Sequence, residues 1–271
     1  METAGMSTQP ETPEIEQPPL EFVNCSDGRR IAYRHLPGKG PGVVMIHGTH
    51  GSMGGRKALD MERRCREAGI AYTRFDLFGH GKSSGVYKRA SMTDWVRDTT
   101  ELLEHLRDNK GLGPQLLLGS SSGGWVMLRA AQERPDLVAG MVGVAPAPDF
   151  TARRKKQFTM LDWAELTITG SCWKGAYGKQ LIRDGDNHLM LGKKNTEITC
   201  PTHILQGKKD TVVPWQAQEK LKDSLPRADV SLTYVDDGDH GMGRDEDLDL
   251  IFDHITQVRA KVLKAEPPKP A

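Results

Sequence analysis

Apolar positions follow two rhythms along this chain. Short runs rich in Val, Ile, Leu and aromatic residues recur at Glu21-Phe22-Val23, Arg30 to Tyr33, Val43 to Ile46, Ala71 to Phe75, Gln115 to Leu118, Val138 to Val144, Thr202 to Leu205, and Val230 to Val235. Runs this short, bounded by Gly, Pro and Asp, suit strands, and the continuously apolar ones suit strands covered on both faces. The first two flank Asp27-Gly28, a hairpin signal. Between the runs the spacing becomes helical. Trp95, Thr99, Leu102, Leu103 and Leu106 form one stripe, preceded by Ser91-x-x-Asp94, a capping box. Leu248, Ile251, Ile255, Val258 and Val262 form the clearest stripe, and Ala58, Met61 and Cys65 a weaker one. Strands alternating with helices predict an α/β fold: a mostly parallel eight-stranded sheet with helices on both faces.

The rhythm breaks between residues 148 and 198, a stretch rich in Lys, Arg, Gly and Thr that holds Trp163 and Trp173. An insertion there would hang over the carboxyl ends of the strands, where open α/β sheets bind ligands. It is expected to form a small lid, within one domain over residues 20–264. The run Arg153-Arg154-Lys155-Lys156 reads as a solvated helix face, with an anionic-substrate role as the alternative. Residues 1–19 and 265–271 read as flexible tails.

The balance of 37 basic and 36 acidic residues, net charge +1, gives no support to a nucleic-acid partner. No apolar run approaches the ~18 residues of a membrane span, so stable membrane insertion is not expected. The first 20 residues hold Glu2, Glu11, Glu14 and Glu16, four prolines and no base. That is the wrong composition for a signal or transit peptide, and a cytoplasmic location is expected. Cys25, Cys65, Cys172 and Cys200 are widely spaced without a C-x-x-C pair and read as reduced thiols.

The candidate chemistry starts at Gly119-Ser120-Ser121-Ser122-Gly123, which matches G-x-S-x-G. An apolar strand precedes it and a helix start follows, the context in which a sharp turn lifts a serine to the top of a sheet. Serine needs a base, and the base an orienting carboxylate. Asp210, in the loop after the strand at Thr202, is the candidate acid; Asp149, after the preceding strand, is the fallback. His240 sits between Gly238 and Gly241 after the last strand and is the candidate base. Backbone N–H groups of Ser122 and Thr49 are the candidate oxyanion donors, with His47-Gly48 as the turn that aims Thr49. A metal reading of His47-x-x-His50 is poor, because both lie in a Gly-rich loop without a helical partner set. Gly81-Lys82-Ser83 fails as a P-loop, since Asp76 stands where glycine is required.

With these residues in place, the chain resembles an α/β-hydrolase over roughly residues 20–262. The H-G loop, the D-x-x-G-x-G-x-S run at Asp76 to Ser83, the G-x-S-x-G turn, G-x-x-D after a strand and the late D-H-G fall in family order. Lys57-Ala58-Leu59, Gly123-Gly124-Trp125 and Val213-Pro214-Trp215 resemble one subgroup more narrowly, the acyl-glucuronide esterases and palmitoyl-protein thioesterases. The resemblance implies Ser121 as nucleophile, Asp210 as acid, His240 as base, and no cofactor. The expected function is hydrolysis of carboxylic esters or thioesters of a small-molecule or acylated substrate. Trp215, Trp163 and Trp173 are candidates to line an apolar acyl pocket. The alternative is a ligand-binding protein that keeps the triad without turnover. Oligomeric state is open.

Overall fold

The computed structural model describes residues 16–172 and 177–265. Its strands are β1 (Leu20–Asn24), β2 (Arg30–Leu36), β3 (Lys39–Ile46), β4 (Ile70–Phe75), β5 (Gln115–Ser120), β6 (Val138–Val144), the short β7 (Ser171–Cys172) and β8 (Tyr177–Gly178), β9 (Thr202–Gly207) and β10 (Val230–Val235). Eight of them form one sheet in the order β1-β2-β4-β3-β5-β6-β9-β10, and β7 pairs only with β8. β2 runs antiparallel to both its neighbours, while every pair from β4 through β10 is parallel. This is the α/β-hydrolase arrangement.

Period-two alternation sends neighbouring strand residues to opposite faces. Leu117, Val44 and Ile46 join one core with Trp95 and Leu102 of α2 (Met92–Lys110) and Trp125 and Leu128 of α3 (Ser122–Glu133). Leu116, Leu118, Val43 and Met45 face the other core, with Ala58, Met61 and Cys65 of α1 (Arg56–Glu67) and Leu248, Ile251, Ile255 and Val258 of α8 (Asp245–Ala265). Truncating a fully buried residue such as Leu117 or Leu118 to Ala should cost about 2–5 kcal/mol. The expected capping box starts α2: Ser91 Oγ accepts from the Asp94 N–H at 3.0 Å, and Asp94 Oδ2 accepts from the Ser91 N–H at 2.9 Å.

Between β6 and β9 the chain leaves the sheet rhythm. It forms α4 (Phe150–Lys155), α5 (Met160–Thr169), β7, β8 and α6 (Lys179–Asp184). Trp125 Nε1 of α3 donates to His188 O at 3.0 Å, and Arg153 Nη2 of α4 donates to Val212 O at 3.0 Å, so the segment is tied to α3 and to the loop after β9. α7 (Ala217–Asp223) connects β9 to β10. The helix α8 runs one residue into the stretch read as a C-terminal tail, through Ala265.

Candidate active site

Three loops at the carboxyl ends of β5, β9 and β10 converge. Ser121 stands between β5 and α3 with φ 55° and ψ −122°, a conformation costing of order 1–3 kcal/mol that persists only when its surroundings enforce it. Its N–H donates to Val144 O at 2.9 Å, and its carbonyl accepts from the Gly124 and Ala147 N–H groups at 2.9 Å. Gly123 is small by necessity, since a Cβ there would lie 2.3 Å from Ile46 O.

His240 Nε2 lies 2.9 Å from Ser121 Oγ, and its Nδ1 lies 2.7 Å from Asp210 Oδ2. A carboxylate beside Nδ1 fixes the tautomer with the proton there, which leaves Nε2 free to accept from the serine hydroxyl. The Asp210 carboxylate is fully shielded from solvent, whereas a quarter of the His240 side chain is exposed. Burial pushes the Asp210 carboxyl up. Hydrogen bonds from His240, the Val213 N–H and Gln206 more than offset this and hold it below the ordinary carboxylate range. The donors are specific: the Val212 and Val213 N–H groups to Oδ1 at 2.7 and 2.8 Å, and Gln206 Nε2 to Oδ2 at 2.9 Å. Gln206 is in turn held by Gln218 of α7, whose Nε2 donates to Gln206 Oε1 at 2.7 Å. The loop that carries His240 packs tightly beside the loop that carries Asp210, for a Cβ on Gly207 would lie 2.3 Å from Gly238 O.

The loop after β3 closes the other side. A Cβ on Gly48 would lie 3.2 Å from Ser121 Cβ, so this loop abuts the serine. The Gly48 carbonyl accepts from His47 Nδ1 at 2.8 Å and from the Gly51 N–H at 2.9 Å. In a trans peptide the C=O and the following N–H point in opposite directions. Anchoring that carbonyl twice therefore fixes the direction of the Thr49 N–H. The Leu77 N–H donates to His47 Nε2 at 3.2 Å, so His47 must be the neutral, Nδ1-protonated tautomer. Burial and the neighbouring His80 push its pKa down to about 4, against smaller opposing pulls from Gly48 O and Asp76. Ser122 is the first residue of α3, where backbone N–H groups have no partner inside the helix and carry its positive end. Thr49 Oγ1 and Ser122 Oγ are 3.1 Å apart, so side chains join the two strips of backbone.

The fallback acid stands elsewhere: Asp149 accepts from the Met190 and Leu191 N–H groups at 2.8 and 3.0 Å, pinning the β6–β9 segment. His47 and His50 share no ligand point. His47 is committed to Gly48 O and the Leu77 N–H, and His50 packs on the Tyr87 ring at 5.5 Å. Trp215 packs against Tyr234 at 5.5 Å. Trp163 packs against Phe158 at 5.1 Å and remains 43% exposed. Trp173 lies outside the described residues. The sequence reading missed Gln206 and Gln218. For Gln206 a signal existed, a polar residue ending the apolar run Ile204-Leu205 just before the acid loop.

A family model described as serine aminopeptidase, S33, matches residues 41–186. The human palmitoyl-protein thioesterase ABHD10, mitochondrial, is 34% identical over 242 residues, 86% of this chain and 77% of the relative. The solved structure of mouse alpha/beta hydrolase domain-containing protein 10 is 32% identical with a TM-score of 0.79, covering 90% of this chain and 99% of the other. A putative hydrolase from Agrobacterium vitis matches equally well, at 32% identity and TM-score 0.79 over 89% of this chain and 99% of the other. These relatives correct the expected compartment. The human and mouse proteins are both named mitochondrial, which points away from the cytoplasm. The cytoplasmic expectation rested on an acidic N-terminal composition, and local charge does not determine an address. Among the described residues no helix is long and apolar enough to cross a membrane.

Proposed function

The chain belongs to the α/β-hydrolases, in the family described as serine aminopeptidase, S33, and to a thioesterase-type subgroup of it, and from that premise we propose that it is a serine hydrolase working through an acyl-enzyme on esters and thioesters. Ser121 Oγ attacks the acyl carbonyl while His240 Nε2 takes its proton. Asp210 holds the imidazole and stabilises the imidazolium. The Thr49 and Ser122 amides receive the developing oxyanion, each worth about 3–4 kcal/mol of barrier. The tetrahedral intermediate collapses, His240 hands its proton to a departing alkoxide, and the acyl group stays on Ser121. A thiolate leaves with little proton help and takes the His240 proton once released, so the imidazole is neutral again in either case. Water, deprotonated by His240, then releases the carboxylic acid.

The observation that supports this best is the placement of one imidazole between Ser121 Oγ, at 2.9 Å, and the shielded Asp210 carboxylate, at 2.7 Å. The names of the relatives favour S-acyl thioesters with long acyl chains as substrates. The segment between β6 and β9 serves as the lid, and the exposed apolar side chains of α5, with Trp163 among them, contact the acyl chain. Trp215 and Trp173 are the further candidates there. Rapid mixing with a p-nitrophenyl ester tests the mechanism. A burst of p-nitrophenol equal to the enzyme concentration, together with an acylated Ser121 peptide after acid quench, is expected. Turnover with no burst and no adduct under any acyl length would count against a covalent route.

A further inference from the structure

Lys57, the second residue of α1, lies outside the Ser–His–Asp set, yet its ammonium touches both sides of it. Nζ donates to Gly241 O at 2.8 Å and to Ser120 Oγ at 3.0 Å. Gly241 follows the base His240, and Ser120 precedes the nucleophile Ser121. Both acceptors are neutral. Among the described residues no carboxylate lies within ion-pair distance of Nζ, although Asp239 and Asp247 are close enough to favour its charge. Burial acts more strongly in the other direction and pushes the Lys57 pKa down to about 8.

Even half-burying an ammonium without an ion-pair partner has a cost, and α1 does not need it to stay in place. Ala58, Met61 and Cys65 already bury its inner face. Arg56 binds Asp245 at 2.6 Å and Arg64 binds Asp249 at 2.7 Å, joining α1 to α8 from outside. The bonds unique to Lys57 are those that span the nucleophile turn and the base loop. We propose that Lys57 is a positioning residue that holds the His240 loop against the Ser121 turn and so sets the distance from His240 Nε2 to Ser121 Oγ. This rests on the assignment of Ser121 and His240 given above. Holding reacting groups at a fixed separation has large consequences, because an error of about 1 Å can cost on the order of 100-fold in rate.

Lys57→Met in the full chain keeps the aliphatic stem and removes the donor. The expected result is a kcat lower by about 10- to 100-fold with KM changed less than about threefold, and a melting temperature within a few degrees of wild type. Lys57→Cys should show the same loss and recover kcat when treated with 2-bromoethylamine, which restores an amine of nearly the same reach. Iodoethane treatment of the same variant, which adds a stem of similar length without a donor, should not restore it, and wild type carried through both reagents corrects for its native cysteines. Ser120→Ala removes one acceptor and should lower kcat about three- to tenfold, which keeps the proposal open to refutation if the Lys57 variants do not fold. Wild-type kcat in Lys57→Met or in Ser120→Ala, or a loss that appears only in KM, would overturn the proposal. So would recovery with iodoethane equal to that with bromoethylamine. Ser121→Ala measured alongside separates the two levels. If it is inactive while Lys57→Met is unimpaired, only the role of Lys57 falls. If Ser121→Ala is fully active, the underlying assignment falls instead.

Discussion

The loops that carry Ser121, Asp210 and His240 and the segment between β6 and β9 differ in how completely their groups are spoken for. Around the proposed triad nearly every polar atom is assigned. Asp210 accepts from four donors, Gly48 O from two, and the strained Ser121 backbone is held on both sides. In the β6–β9 segment the assignment is loose. α5 buries only Leu166, while Met160, Leu161 and Ile168 are 89%, 81% and 82% exposed. Met160, Ala164 and Ile168, spaced four apart, share one face with Leu161 beside it. Contiguous apolar exposure of this kind marks a surface that meets an apolar ligand or partner. A reaction geometry has to be fixed before the substrate arrives, whereas recognition of a flexible acyl chain tolerates adjustment.

Substitutions should separate the two regions. Ser121→Ala removes the nucleophile and should lower kcat on the order of 10⁶-fold for every acyl length. A loss under tenfold would mean that another group attacks. Asp210→Asn favours the wrong imidazole tautomer and should cost on the order of 10⁴-fold in kcat. Asp149→Asn should leave kcat near wild type, because its carboxylate holds Met190 and Leu191 rather than the base. The reverse pattern would reassign the acid. Both are read from steady-state kinetics on a short p-nitrophenyl ester.

The third expectation concerns stability at low pH. His47 and His203 are both pushed down to about 4, below the ordinary value of 6.5, chiefly by burial. Between those values the unfolded chain binds protons on these two rings that the folded chain does not, so their contribution to stability falls as pH drops from about 6.5 toward 4, while Asp98, pushed up to about 7 by burial, contributes in the opposite sense over the same range. For His47, which is 4% exposed, the loss amounts to roughly 3 kcal/mol across that window. Urea unfolding of wild type and His47→Gln at pH 7 and pH 4.5 isolates it, and an equal change of midpoint with pH in the two proteins would contradict a neutral, buried His47. The smallest effect belongs to the loose region. Leu161→Ser with Ile168→Ser should leave kcat on acetyl esters unchanged and raise KM for long-chain substrates about 5- to 30-fold, about 1–2 kcal/mol. A matching loss on acetyl esters would mean that α5 supports the rim instead.

The same contrast explains what could be read from sequence. The eight strands of the main sheet and the stripes of α2 and α8 were legible because their apolar residues face inward with the period of the element that carries them. The three residues proposed for the site stood out because each sits at a punctuated loop after an apolar run. Lys57 was visible only as part of a subgroup motif, since a lysine in the first turn of a helix looks like surface until the fold brings Ser120 and Gly241 to it. Gln206 and Gln218 act through a contact twelve residues apart that no local pattern encodes. Within the β6–β9 segment the two-residue strands and short helices carry no usable period, and α5 presents its apolar residues outward, opposite to the pattern that marks a core helix.

The most direct test of the central claim is to label the full chain with a fluorophosphonate and map the adduct by mass spectrometry. A single adduct on Ser121, absent in Ser121→Ala and formed far more slowly in His240→Gln, is the expected result. An adduct on another residue, or labelling in Ser121→Ala as fast as in wild type, would contradict an Oγ activated by His240.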